Sequence, residues 1–171
     1  MRELILNDNQ IEFIDPLVFS SLTRFELLYL GDNKLRSLNK DMFIGLDNLK
    51  TLLLMKIKLN LLKSKVSNGL TSLEELWLSC NKISYLNKEV LFGLNGIIKI
   101  CLLQNEIEHI EKETFCNLRK LESLFLDSKL VVGLDLKDVK IYVIEDFNLF
   151  YFIIQMMILI LIICFIKFEI K

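Results

Sequence analysis

At 171 residues the chain is long enough for one domain with a sizeable core, and 53% of it is apolar with a single proline. Lys and Arg number 21 against 22 Asp and Glu, a net charge of −1; without a basic surplus or a long run of one sign, no nucleic-acid partner is expected. One histidine and four cysteines (Cys80, Cys101, Cys116, Cys164), none in a close pair, argue against a histidine-rich metal site, a structural zinc and a disulfide knot.

The amino terminus, Met1 to Asp8, lacks the charged-then-apolar pattern of a secretory signal. None of the thirteen asparagines opens an Asn-x-Ser/Thr acceptor. Both features weigh against secretion of the chain as written.

From Leu4 onward the sequence repeats with a fixed step of 24. One register runs Leu4, Leu28, Leu52, Leu76, Ile100 and Leu124; a second follows two residues later as Leu6, Leu30, Leu54, Leu78, Leu102 and Leu126. Further registers are Ile11, Leu35, Leu59, Ile83, Ile107 and Val131, then Ile14, Leu38, Leu62, Leu86, Ile110 and Leu134. Leu22, Leu46, Leu70, Leu94 and Leu118 close the units. The LxL pair has period two and suits a short strand with both leucines turned inward. Asn9, Asn33, Asn81 and Asn105 follow the strands, where a stacked asparagine can bond backbone groups of its own turn and of its neighbour. One unit cannot bury its apolar face alone, so stacking supplies the core.

The pattern LxxLxLxxNxIxxIxxxxFxxL over residues 1–134 resembles the leucine-rich-repeat family, in its 24-residue subtype with a late phenylalanine (Phe19, Phe43, Phe115). The resemblance implies an α/β solenoid with short parallel strands on a concave face and irregular or short helical return legs. Three units depart from the pattern. Residues 49–72 carry Ile57 for the asparagine and Ser67 for the phenylalanine, which predicts a looser turn or bulge near Met55–Leu59. In the next unit Leu91 takes the phenylalanine place with Phe92 beside it, and the sixth has Lys129 for the asparagine.

In such a solenoid the residues between the strand leucines face outward. They form the row Ile5, Tyr29, Leu53, Trp77, Cys101 and Phe125, flanked by Glu75 and Lys99 among polar neighbours. Exposed aromatics with a polar rim are how protein-binding hot spots are built, so Tyr29, Leu53, Trp77, Phe125, Glu75 and Lys99 are the candidate protein-binding residues. The alternative is that the aromatics only stack on one another across strands. No phosphate loop, triad or carboxylate pair occurs, and His109 reads as a surface residue; neither catalysis nor a cofactor is expected.

After a connecting segment (135–146), residues 147–166 read FNLFYFIIQMMILILIICFI without a charge. As a helix this run would span about 30 Å, the thickness of a bilayer core, and a short tail (167–171) follows it. Glu145 and Asp146 before it and Lys167 and Lys171 after it place the repeats outside by the positive-inside tendency. The expected protein is a single-pass membrane recognition module whose concave face binds a protein ligand or co-receptor. The alternatives are an intracellular scaffold, tail-anchored or soluble, and a truncated gene product without independent function.

Overall fold

A computed structural model describes residues 2–62, 66–111, 113–130 and 139–144. Along the chain the strands are β1 (Glu3–Ile5), β2 (Leu27–Tyr29), β3 (Thr51–Leu53), β4 (Glu75–Trp77), β5 (Tyr85–Leu86), β6 (Lys99–Cys101), β7 (His109–Ile110), β8 (Ser123–Asp127) and β9 (Lys140–Ile144). Seven of them form one parallel sheet in the order β1-β2-β3-β4-β6-β8-β9. Its register follows the 24-residue step, with Leu4 opposite Leu28, Leu52, Leu76, Ile100 and Leu124 in succession. The chain thus makes about five turns of a solenoid of strand, turn and return leg.

Each LxL pair sends its two leucines to the same side of the sheet, because successive residues of a strand alternate faces. There Leu28, Leu30, Leu52, Leu54, Leu78, Leu102 and Leu126 are almost wholly buried against the later aliphatics of the return legs. A second, two-stranded sheet pairs β5 with β7, and an isolated bridge joins Ser37 to Leu61 in the same register. The return legs are successive three-residue turns, such as Ser20 N–H to Leu17 O at 2.9 Å and Leu49 N–H to Leu46 O at 2.9 Å. Among the described residues there is no α-helix, only a 3-10 turn at Ser128–Leu130. Of the two forms expected for the return legs, the structure takes the irregular one.

The asparagines hold the turns as their spacing predicts. Asn33 donates to Leu6 O (2.9 Å), Leu30 O (2.9 Å) and Gly31 O (3.2 Å) and accepts from Ile11 N–H (3.0 Å). Asn105 repeats the arrangement on Leu78 and Ile83. Asn9 is exposed and bonds only within its own turn.

The third unit is irregular in a different way from the loose turn expected of it. Ile57 is fully buried, and its turn takes an extra left-handed residue, Lys58 (φ 62°), beside the one that every other turn has at Asp8, Asp32, Cys80 and Gln104. The asparagine of the following turn takes on one additional amide, Ile57 N–H, beside the Leu59 N–H that matches Ile11 on Asn33 and Ile83 on Asn105. Asn81 accepts from both Ile57 N–H and Leu59 N–H, each at 3.1 Å.

Phe19, Phe43, Leu91 and Phe115 are buried in the core, whereas Phe92 is exposed. Ser67 lines a small apolar cavity with Phe43, Val66 and Leu91 where the third phenylalanine is absent, and its hydroxyl donates to Phe92 O. One correction concerns the end of the chain. Residues 140–144, read as connecting segment, add a seventh strand to the sheet, 17 residues after Ser123 in place of 24. The expected apolar helix 147–166 lies outside the described residues, and among those described no helix is long and apolar enough to cross a membrane.

Candidate functional site

The outer face of the sheet carries a second apolar cluster, separate from the core. Leu53, Trp77, Cys101 and Leu103 are its buried members, and Tyr29, Met55 and Phe125 pack against them half-buried. One residue per strand supplies the central row, so the parallel register stacks Tyr29, Leu53, Trp77, Cys101 and Phe125 at the strand spacing. The row continues onto β9, where Tyr142 stacks on Phe125 with ring centroids 4.6 Å apart.

The large rings close over the small residue between them. Trp77 and Phe125 stand two strands apart, yet their centroids are 6.0 Å apart, and Cys101, which lies between them, has no exposed surface. Burial in this apolar layer pushes its thiol up to about 12, so Cys101 is a packing residue and no nucleophile. At the other end Tyr29 lies against Gly31: a methyl group there would sit 2.4 Å from Tyr29 Cε2 and 3.0 Å from Met55 O. Gly31 is the space that the ring occupies.

Glu75 organises the polar border. Its carboxylate accepts from Trp77 Nε1 (3.0 Å) and from Lys99 Nζ (3.0 Å), while the same ammonium stands 5.7 Å above the indole. Three candidates from two registers thus form one unit, Glu75 and Lys99 standing opposite each other on neighbouring strands. Glu75 holds the indole's only donor, and Lys99 gains a carboxylate and an aromatic face.

The expectation that the row projects into solvent requires correction. Ile5 at 55% and Tyr142 at 43% are exposed at the two ends of the row, but Leu53 and Trp77 keep only 3% each. Sequence reasoning found Tyr29, Leu53, Trp77, Phe125, Glu75 and Lys99 and missed Tyr142, whose 17-residue offset falls outside the period. The alternating Lys140-Ile141-Tyr142-Val143 was the available signal. His109 is exposed as expected, stacked on Tyr85 at 5.8 Å in the second sheet, away from this cluster. Among the described residues no group of His, Cys, Asp or Glu is placed to hold a metal ion.

The family model for the leucine rich repeat matches residues 1–59 and 71–130. No curated protein matches the chain. Among solved structures, Toll in its Drosophila complex with Spatzle is similar at 20% identity and TM-score 0.61 over 67% of this chain. TLR13 in its complex with ssRNA13 is similar at 24% identity and TM-score 0.55 over 73% of it. Internalin C2 of Listeria monocytogenes is similar at 28% identity and TM-score 0.58 over 81%. The chain spans 15% and 21% of the first two and 53% of the third. These likenesses lend the expectation of no nucleic-acid partner no support.

Proposed function

The chain belongs to the leucine-rich-repeat family, and from that premise we propose that it is a recognition module whose concave face binds a protein ligand or co-receptor. The observation that carries this reading is the second apolar cluster on the outer face of the sheet, bordered by Glu75 and Lys99. A solenoid needs one core, inside the coil; a second apolar layer on the opposite face contributes little to stacking and matches the composition of an interface centre. Tyr29, Trp77 and Phe125 supply the large amphipathic and aromatic surfaces from which hot spots are built. Spatzle bound to Toll is the example of a protein ligand among the structural neighbours.

Because Trp77 is buried, its removal would alter the fold as well as the surface. Half-buried Tyr29 and Phe125 make the cleaner test. Tyr29→Ala and Phe125→Ala should each weaken a protein ligand by about 2 kcal/mol, roughly 30-fold, with the unfolding transition kept. Lys82→Ala, an exposed residue of a return leg, should leave binding unchanged. Surface plasmon resonance on the immobilised chain reads both. A ligand indifferent to Tyr29 and Phe125, or retention of single-stranded RNA in place of protein, would refute the reading.

The module is attached to a membrane through residues 147–166, with the repeats outside. The apolar length of that run and the charges flanking it support this. The alternative reading is an intracellular scaffold, tail-anchored or soluble. Protease added to sealed cells expressing the chain should remove the repeats; their protection would place them in the cytosol.

A further inference from the structure

Where ion pairs join neighbouring turns at the 24-residue step, opposite signs meet. Arg2 meets Glu26 at 2.9 Å, Lys56 meets Asp32 at 3.6 Å and Lys99 meets Glu75 at 3.0 Å. One register breaks this rule. Directly after the asparagine position stand Lys34, Lys58 and Lys82 on three consecutive turns, all exposed, with exposed Arg36 two residues beyond the first. Lys34 reaches only the neutral Gln10, at 3.2 Å. Among the described residues no carboxylate pairs with Arg36, Lys58 or Lys82.

Backbone bonds hold the turns at the strand spacing on this side as well. Lys34 N–H donates to Ile11 O (2.9 Å), Lys82 N–H donates to Leu59 O (2.8 Å), and Ser37 bridges to Leu61. Like charges are therefore stacked about 5 Å apart, an arrangement that repels itself and weakens folding. The stripe is also short. From Lys34 to Lys82 is two turn spacings, about 10 Å, and exposed carboxylates close both ends: Glu12 at one, Glu106 and Glu108 at the other. Along its margin Leu61 is 46% exposed and Tyr85 is half-buried.

We propose that this side of the solenoid binds a short acidic segment of a partner protein, with carboxylates on Lys34, Arg36, Lys58 and Lys82 and an apolar side chain on Leu61 and Tyr85. Charge complementarity selects an anion, and the dimensions select its kind. Alternate side chains of an extended peptide stand about 7 Å apart, so two or three carboxylates cover the stripe within the reach of the lysine stems. A longer polyanion lying along the solenoid, such as a nucleic-acid strand, brings further phosphates onto Glu12 or onto Glu106 and Glu108. The exposed leucine at the margin favours a peptide for the same reason: it offers an apolar contact beside the charges. This surface is separate from the concave row, and the inference does not rest on the function proposed for that row.

Fluorescence anisotropy of a labelled glutamate-rich peptide with one central leucine tests this on the full chain. The parent should bind it at low salt and lose it as salt rises. Lys34→Gln with Lys58→Gln and Lys82→Gln should weaken binding about tenfold or more, since one surface ion pair contributes roughly threefold. Arg24→Gln with Arg119→Gln and Lys120→Gln, three exposed cations elsewhere, should leave it unchanged. Both variants lose the same charge, so equal weakening shows an effect of net charge and overturns the proposal. Failure of the parent to bind overturns it, as does displacement by inorganic phosphate as readily as by unlabelled peptide. Tighter binding of single-stranded RNA through the same lysines overturns it too, because the occupant is then a nucleic acid. The stripe variant should melt no lower than the parent, having lost repulsion; a lower melting temperature would show that the lysines serve the fold and sink the idea. Single variants tell the two surfaces apart. Lys82→Ala, neutral for a ligand on the concave row, should weaken the acidic peptide roughly threefold, and Tyr29→Ala should leave the peptide bound as before.

Discussion

Asn81→Ala should destabilise the solenoid by about 3–5 kcal/mol, the larger part of what a domain of this size has in reserve. Its amide donates to Leu54 O (2.8 Å), Leu78 O (2.9 Å) and Ser79 O (3.4 Å), and its oxygen accepts from the buried Ile57 and Leu59 amides. No water reaches these groups to replace the lost partner, and each buried polar group left unpaired costs about 1–3 kcal/mol. The same change at Asn33 or Asn105 orphans one accepted amide where Asn81 orphans two, and should cost about 1 kcal/mol less. At exposed Asn9, bonded only to its own turn, it should cost under about 1 kcal/mol. Urea unfolding of the four variants gives the order directly. Equal losses at Asn33 and Asn81 would show that the third turn does not depend on its neighbour. Because repeats couple mainly to adjacent repeats, the Asn81 variant should also unfold in two steps, the turns on either side of Ile57 opening first.

Gly69→Ala should cost about 3 kcal/mol or more, and Gly93→Ala about 1–2 kcal/mol, although both glycines have nearly the same backbone. Their φ angles are +88° and +91°, so an alanine is strained in either place. The surroundings differ. A Cβ at Gly69 would lie 2.4 Å from Phe43 O and 2.8 Å from Phe43 C, whereas at Gly93 nothing stands within 4 Å. At the first site the backbone of the preceding turn must move and with it the buried Phe43; at the second only the local strain is added. Thermal melts of the pair isolate the inter-turn contact from the conformational cost, since the second cancels between them. Similar melting temperatures would refute the close packing of adjacent return legs at Gly69.

Most of the main sheet was legible in the residues. A 24-residue aliphatic register with alternating leucines leaves one way to bury each unit, and the inward leucines, the asparagines of the turns and the outward row all fall where that pattern puts them. The positive-φ glycines Gly45, Gly69 and Gly93 recur with the same step and could have been read from it; the aliphatic registers drew attention away from them. Other features have no local signature. Asn81 serving two amides of the previous turn, and the Asp127 carboxylate accepting from Gln104 N–H at 3.0 Å next to Lys129, depend on what the neighbouring turn lacks. β9 broke the period and so escaped it. The candidate site was legible as a list of residues, but Glu75 holding both Trp77 and Lys99 was not, because side-chain rotamers decide which members of adjacent rows meet.

By itself the sequence determined the repeat, the parallel register and which residues face outward, since these follow from the period of the strand and from the need of each unit to bury its leucines against the next. Only the tertiary structure decided what becomes of the outward face. An outward position specifies direction and says nothing of cover: Ile5 and Trp77 occupy equivalent places in their strands, and one is open to water while the other is closed from it. Burial belongs to the assembled surface, where rings lean across strands, and no single repeat contains that information.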